Sequence, residues 1–214
     1  GVAIVRTGMS GFSDFGIGEP TLPPPAVTLL SPANSSSGNN RTLTYSWTSV
    51  LDSDGNNPVN YSIQVDSTSA SFTTLEVNGA FTLSTTTTFT VTTPGTKYWR
   101  VISQDQLLAQ NTSGVFSFTI TDQPPDIPTL LLPLDGGNAT RQPTFSWTSV
   151  GDPDGDAVTY TIQVDSTSNA FTKIEYSSGP SALTTSTPGT FLKTGLKYWR
   201  VIAQDIYLGQ STSV

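Results

Sequence analysis

The chain has 214 residues, nine Lys+Arg against sixteen Asp+Glu, and neither histidine nor cysteine. The missing His and Cys exclude the ordinary zinc, copper and haem ligand sets, thiol nucleophiles and every Ser-His or Cys-His dyad. A net charge of −7 argues against a nucleic-acid-binding surface, and no apolar run approaches the roughly 18 residues of a membrane span.

Ser and Thr together number 62, or 29% of the chain, whereas charged residues make up 12%. Such a composition suits a microbial extracellular or cell-surface protein. The chain starts at Gly1 without a basic stretch and apolar run behind it, so a secretion signal is expected to have been removed.

In chain order, residues 1–22 form a leader. It holds an apolar, β-branched stretch, Val2-Ala3-Ile4-Val5, and a second apolar stretch from Phe12 to Ile17. Pro23-Pro24-Pro25 follows and marks a domain start, since proline stiffens a linker and cannot donate to a sheet. Leu43, Tyr45 and Trp47 then alternate with Thr44, Ser46 and Thr48. Tyr61, Ile63 and Val65 alternate with Ser62, Gln64 and Asp66, and Phe89 and Val91 alternate with Thr88, Thr90 and Thr92. A period of two reads as half-buried antiparallel strands, and no helix-period segment appears.

The pattern then recurs after about 100 residues. Ser46-Trp47-Thr48-Ser49-Val50 returns as Ser146-Trp147-Thr148-Ser149-Val150, Ile63-Gln64-Val65-Asp66 as Ile162-Gln163-Val164-Asp165, and Lys97-Tyr98-Trp99-Arg100-Val101-Ile102 as Lys197-Tyr198-Trp199-Arg200-Val201-Ile202. A repeat this long is a whole domain. About seven strands in 100 residues predict a β-sandwich, with domains at 23–122 and 123–214.

The copies resemble fibronectin type III domains of microbial surface proteins. The resemblance rests on the Pro-rich start, the Trp of the second strand, and the Asp-x-Asp-Gly turn before Tyr-x-Ile-x-Val. It also rests on Pro94-Gly95-Thr96-Lys97-Tyr98-Trp99-Arg100-Val101, which matches the family's sixth strand and tyrosine corner. Leu192 stands six residues before Tyr198 as that corner requires, whereas Thr92 holds the place in copy one. The resemblance implies an all-β chain of two tandem immunoglobulin-like sandwiches, and says little of function because the fold hosts many functions.

Four sets of residues are candidate sites. Asp152, Asp154 and Asp156 have the oxygen spacing of a calcium-loop start, but no helices flank them and a tight turn accounts for the same residues. Calcium is the one cofactor considered. Trp47 and Trp147 read as core. The alternation leaves open whether Trp99 and Trp199 face inward or offer a sugar platform. Five Asn-x-Ser/Thr sequons occur; Asn34, Asn40, Asn111 and Asn138 are expected in exposed loops as glycan acceptors, and Asn60 is the least suited. Asp105 and Asp205 recur once per copy as turn residues do, and a glycosidase needs two acids on one cleft, so no enzyme is expected.

Assembly is the fourth. Copy one closes with Gly114-Val115-Phe116-Ser117-Phe118-Thr119-Ile120-Thr121, a seventh strand, whereas copy two matches only through Thr212 and Ser213. The second sandwich is therefore expected to lack its last strand. The expected acceptor edge is Trp199, Val201 and Ala203, and the expected donor is Val2, Ala3, Ile4 and Val5 of another copy, with residues 12–17 as the fallback. Donation in trans would build a head-to-tail homopolymer, a pilus-like filament or surface appendage. The alternative is a spacer or carbohydrate- or adhesion-binding module cut from a longer secreted protein.

Overall fold

The computed structural model describes residues 22–191 and 194–213. Leu192 and donor residues Val2, Ala3, Ile4 and Val5 lie outside the described residues. The chain divides into two compact units between Ile120 and Thr121, and the described residues form strands, turns and loops without a helix.

The first unit contains β1 (Leu29–Ser31), β2 (Ser36–Asn39), β3 (Thr42–Trp47), β4 (Asn60–Asp66), β5 (Leu75–Asn78), β6 (Thr86–Thr90), β7 (Gly95–Gln104), β8 (Gln110–Thr112) and β9 (Phe116–Ile120). One sheet has the order β1-β3-β6; the other has the order β2-β9-β7-β4-β5, with β8 also beside β7. Tyr45, Trp47, Tyr61, Ile63, Val65, Trp99, Val101, Phe118 and Ile120 bury their side chains between the sheets. This is the alternation read from the sequence, turned inward. The outer face of β3 and β6 is dressed with threonines, whose hydroxyls meet in cross-strand pairs: Thr42–Thr90 at 2.8 Å and Thr44–Thr88 at 3.2 Å.

On β7 the inward residues are Lys97, Trp99, Val101 and Ser103, and Trp99 is 0% exposed. Tyr45 meets its indole edge-on at 5.3 Å and Phe116 at 6.1 Å. That placement removes Trp99 as a sugar platform. Tyr98, Arg100 and Ile102 take the outer face and are half-buried.

The last strand of this unit is in two pieces. β8 pairs with the second half of β7, joining Ile102 to Thr112 and Gln104 to Gln110. Ser113 then bonds Val101 twice: its amide donates to the Val101 carbonyl at 2.9 Å and its hydroxyl accepts the Val101 amide at 2.9 Å. Beyond this bulge, β9 pairs with the first half of β7, from Gly95↔Ile120 through Lys97↔Phe118 to Trp99↔Phe116.

The second unit contains β10 (Leu130–Leu132), β11 (Phe145–Trp147), β12 (Thr159–Asp165), β13 (Ile174–Ser177), β14 (Thr185–Ser186), β15 (Tyr198–Gln204) and β16 (Gln210–Thr212). Its sheets are β10-β11-β14 and β13-β12-β15-β16. Phe145, Trp147, Tyr160, Ile162, Val164, Val201 and Ala203 form its core. Both units are all-β sandwiches: leaving aside the extra β2 of unit one, the first, second and fifth main strands (β1, β3, β6 and β10, β11, β14) lie on one side and the remainder on the other, a fibronectin type III-like arrangement.

Removing the Trp99 side chain should therefore cost about 3–5 kcal/mol, and removing the half-buried Trp199 clearly less. Guanidinium unfolding of unassembled Trp99→Ala and Trp199→Ala chains measures both; equal losses would contradict the difference in packing.

Candidate assembly site

In unit two, β16 pairs with β15 from Ile202↔Thr212 to Gln204↔Gln210. Ser213 repeats the double bond to Val201. The expected acceptor edge is corrected accordingly: Val201 and Ala203 are buried and already have β16 and Ser213 alongside. The sequence pattern suggests a last strand in one piece, whereas in unit one Ser113 splits it, and β16 matches the first piece. Residues 198 and 199 pair with β12 on one edge, but among the described residues no strand pairs with the other edge of 195–199, the edge whose counterpart in unit one receives β9.

The consequences appear side chain by side chain. Trp199 is half-buried and leans on Phe145, ring centroids 5.0 Å apart. Lys197 is partly exposed, ion-paired with Glu175 and 5.3 Å from the Phe191 ring centroid. In unit one Lys97 is fully buried, with its ammonium 2.8 Å from Glu76. Burial pulls the Glu76 carboxyl upward, but Lys97 and the Thr92 amide and hydroxyl outweigh it and hold the group below the usual range. Leu196 in this stretch is 68% exposed, and Leu132 and Leu134, at and after the end of β10, are 53% and 70% exposed. The corresponding residues of unit one are Thr96, Ser31 and Ala33.

The aspartates hold backbone. Asp154 and Asp156 donate their amides to Asp152 Oδ1 at 2.8 and 3.4 Å, and Gly155, at φ +82°, closes the turn onto the Asp152 carbonyl at 3.0 Å. Among the described residues no three acidic side chains are grouped so as to hold a metal ion. The second Asp of each turn clasps the incoming chain: Asp54 Oδ2 accepts the Leu22 amide at 2.8 Å, and Asp154 Oδ2 accepts the Gln123 amide at 2.8 Å. The bond from Leu22 leads the interactions that hold the Asp54 carboxyl down. Asp105 Oδ1 braces its loop through the amides of Leu107 and Ala109, as Asp205 Oδ1 does through Tyr207 and Gly209.

Two features were not read from the sequence. Asp66 is buried at the end of β4 and accepts four bonds, from the amides of Thr68, Ser69 and Thr74 and the Thr68 hydroxyl, at 2.7–3.0 Å. Asp165 repeats this with Thr167, Ser168 and Lys173. The loops so held place Phe72 and Phe171 at φ 56° and 52°, unusual for bulky residues. Arg100 lies 4.1 Å over Phe72 and Arg200 4.3 Å over Phe171, each also bonded to a glutamine of the adjacent strand, Gln64 or Gln163. The sequence signal was the recurrence of Gln, Asp, Phe and Arg in both copies.

Of the glycan candidates, Asn34, Asn40 and Asn138 are exposed in side chain. Asn34 uses its Oδ1 to accept the Ser117 amide at 2.9 Å. Asn111 is a correction: it sits in β8, half-buried, with its Oδ1 on the Thr112 amide.

No family model matches the chain, and no curated protein matches it in sequence. Among solved structures the chain is similar to the fibronectin(III)-like modules of Clostridium thermocellum CbhA. Identity is 17%, covering 87% of this chain and 91% of that one, with a TM-score of 0.34. It is also similar to the FN1–FN3 domains of chicken CNTN1, at 15% identity over 94% of this chain and 72% of that one, with a TM-score of 0.35.

Asp66 makes the stability of unit one depend on pH. Burial raises its carboxyl, but the amides of Ser69, Thr68 and Thr74 prevail and hold it at about 2. A depressed carboxylate stabilises the fold above its unfolded value near 4, and that contribution is lost as pH falls toward 2. The melting temperature of Asp66→Asn should lie below that of the parent chain at pH 7 and meet it near pH 2; a gap constant with pH would contradict the assignment.

Proposed function

We propose that the chain is a non-catalytic structural subunit of an extracellular filament or surface appendage. In this reading the leader of one copy, residues 1–22, completes the second unit of the next. The observation that carries it is the outer edge of 195–199, which no strand covers among the described residues, set against the same edge of unit one, where Phe116–Ile120 is received. In unit one that strand contributes two phenylalanines and an isoleucine, and burying each such side chain is worth roughly 1.5–3 kcal/mol. An open slot of this kind favours any extended apolar segment that can bond its edge. Because leader and slot are different surfaces, the contact is heterologous and repeats without closing.

The leader supports this reading by its place in the chain. It is apolar and β-branched at one point and aromatic at another, and it runs into the clasp at Asp54 as β9 runs into the clasp at Asp154. A proposal of sugar-bearing asparagines at Asn34, Asn40 and Asn138 fits a surface protein and is checked by intact mass.

A second reading is a spacer or adhesion module of a longer secreted chain, with the slot filled from the same polypeptide. It is favoured by the repeated clasp, a device that strings unit after unit. Negative-stain microscopy separates the two. The full chain should form fibres and the chain starting at Leu22 should not. Fibres from the shortened chain, or only monomers from the full one, would refute strand donation.

A further inference from the structure

Two stretches of the leader are apolar enough to donate, and the geometry of β9 discriminates between them. We infer that the donated strand is residues 13–17, with Phe15 and Ile17 in the places that Phe118 and Ile120 hold in unit one, and with Gly16 opposite Leu196 of the receiving copy. The inference rests on the strand-donation reading above and assigns its register.

Three observations converge on that register. The first is the pattern of the template. The end of β9 and its continuation read Phe118-Thr119-Ile120-Thr121-Asp122; the leader reads Phe15-Gly16-Ile17-Gly18-Glu19, the same Phe, Ile and acid at the same spacing. Phe118 and Ile120 are the two β9 side chains fully buried in the core, so identity falls where shape is most constrained. Val2–Val5 offers either Val2 and Ile4 or Ala3 and Val5 to those sockets, and neither set carries an aromatic ring.

The second is the distance to the clasp. Ile120 stands three residues before Gln123, the residue held by Asp154, and Ile17 stands five before Leu22, the residue held by Asp54. Both links are short. Val5 stands seventeen residues before Leu22.

The third is a volume exchange across the pair. In unit one Thr96 faces Thr119. In unit two Leu196 takes the place of Thr96 and is 68% exposed, and the leader residue that would face it is Gly16 where β9 has Thr119. One partner grows as the other shrinks. The same register sets Asp14 opposite Tyr198, where Ser117 faces Tyr98, and Ser13 opposite Trp199, where Phe116 faces Trp99. The smaller Ser13 suits a Trp199 that already packs on Phe145.

The chain lacks cysteine, so an introduced pair reports the register without background. Residues directly opposite on antiparallel strands lie within disulfide reach. Full chains carrying Gly16→Cys with Leu196→Cys should, after mild oxidation of assembled fibres, give a ladder of covalent multimers on a non-reducing gel. Ala3→Cys or Ile4→Cys, the residues that would face Leu196 in the two Val2–Val5 registers, paired with Leu196→Cys should give none. A ladder from either of these two, and none from the Gly16 pair, would overturn the assignment while leaving strand donation standing. Fibres from all three without any ladder would overturn strand donation into this slot as well. If the cysteine pairs do not assemble, Phe15→Ala with Ile17→Ala should abolish fibres and Val2→Ala with Ile4→Ala should keep them. The reverse result would overturn the inference.

Discussion

Both units hang on one pairing, that of the third and sixth main strands. β4 and β7 join seven residue pairs from Asn60↔Gln104 to Asp66↔Tyr98, and β12 and β15 join seven from Thr159↔Gln204 to Asp165↔Tyr198. This ladder fixes which residues face inward, and the rest depends on it. It puts the indoles of Trp99 and Trp199 toward the core and the guanidinium groups of Arg100 and Arg200 on the outer face. It brings Asp66 and Asp165 to the strand ends, where each carboxylate gathers a loop. Sliding the pairing by one residue would invert every one of these placements.

Against that common frame, the described residues of unit two have no counterpart of β9 or of β2, which lies beside it. Where β9 is present, the lysine of the sixth strand is sealed with Glu76, the tryptophan is ringed by Tyr45 and Phe116, and Phe118 fills the space between sheets. In unit two the lysine is partly exposed, the tryptophan packs on Phe145, and Leu196 is exposed. Tyr45, whose buried hydroxyl has no hydrogen-bond partner among the described residues, is replaced by Phe145, which spares unit two a buried hydroxyl to satisfy.

The sandwich was legible because a two-residue period, repeated twice at constant offset, has few other physical solutions. Less legible was anything decided by a single side chain acting as backbone. Ser113 and Ser213 read as ordinary strand serines, yet their hydroxyls replace a carbonyl in the ladder, and in unit one this cuts the last strand in two. That is why the sequence points to an open stretch at Trp199, Val201 and Ala203, and the structure has it at 195–199. The inward face of β7 was ambiguous because both faces carry apolar residues; Phe72, brought under Arg100 by a loop that Asp66 holds, settles it by covering the outer one. The aspartate turns have a local sequence signature, but the clasp on Leu22 and Gln123 joins residues 32 and 31 positions apart and has none.

The threonine pairs across β3 and β6 bear on how this protein meets its surroundings. Thr42, Thr44, Thr88 and Thr90 present hydroxyls and methyls and no ionisable group. Nothing on such a face titrates between roughly pH 2 and 10, and there is no charge on it for dissolved ions to screen. Its charge therefore stays at zero from dilute acid to neutral buffer, and a neighbour meeting it finds the same pattern of hydroxyls and methyls throughout.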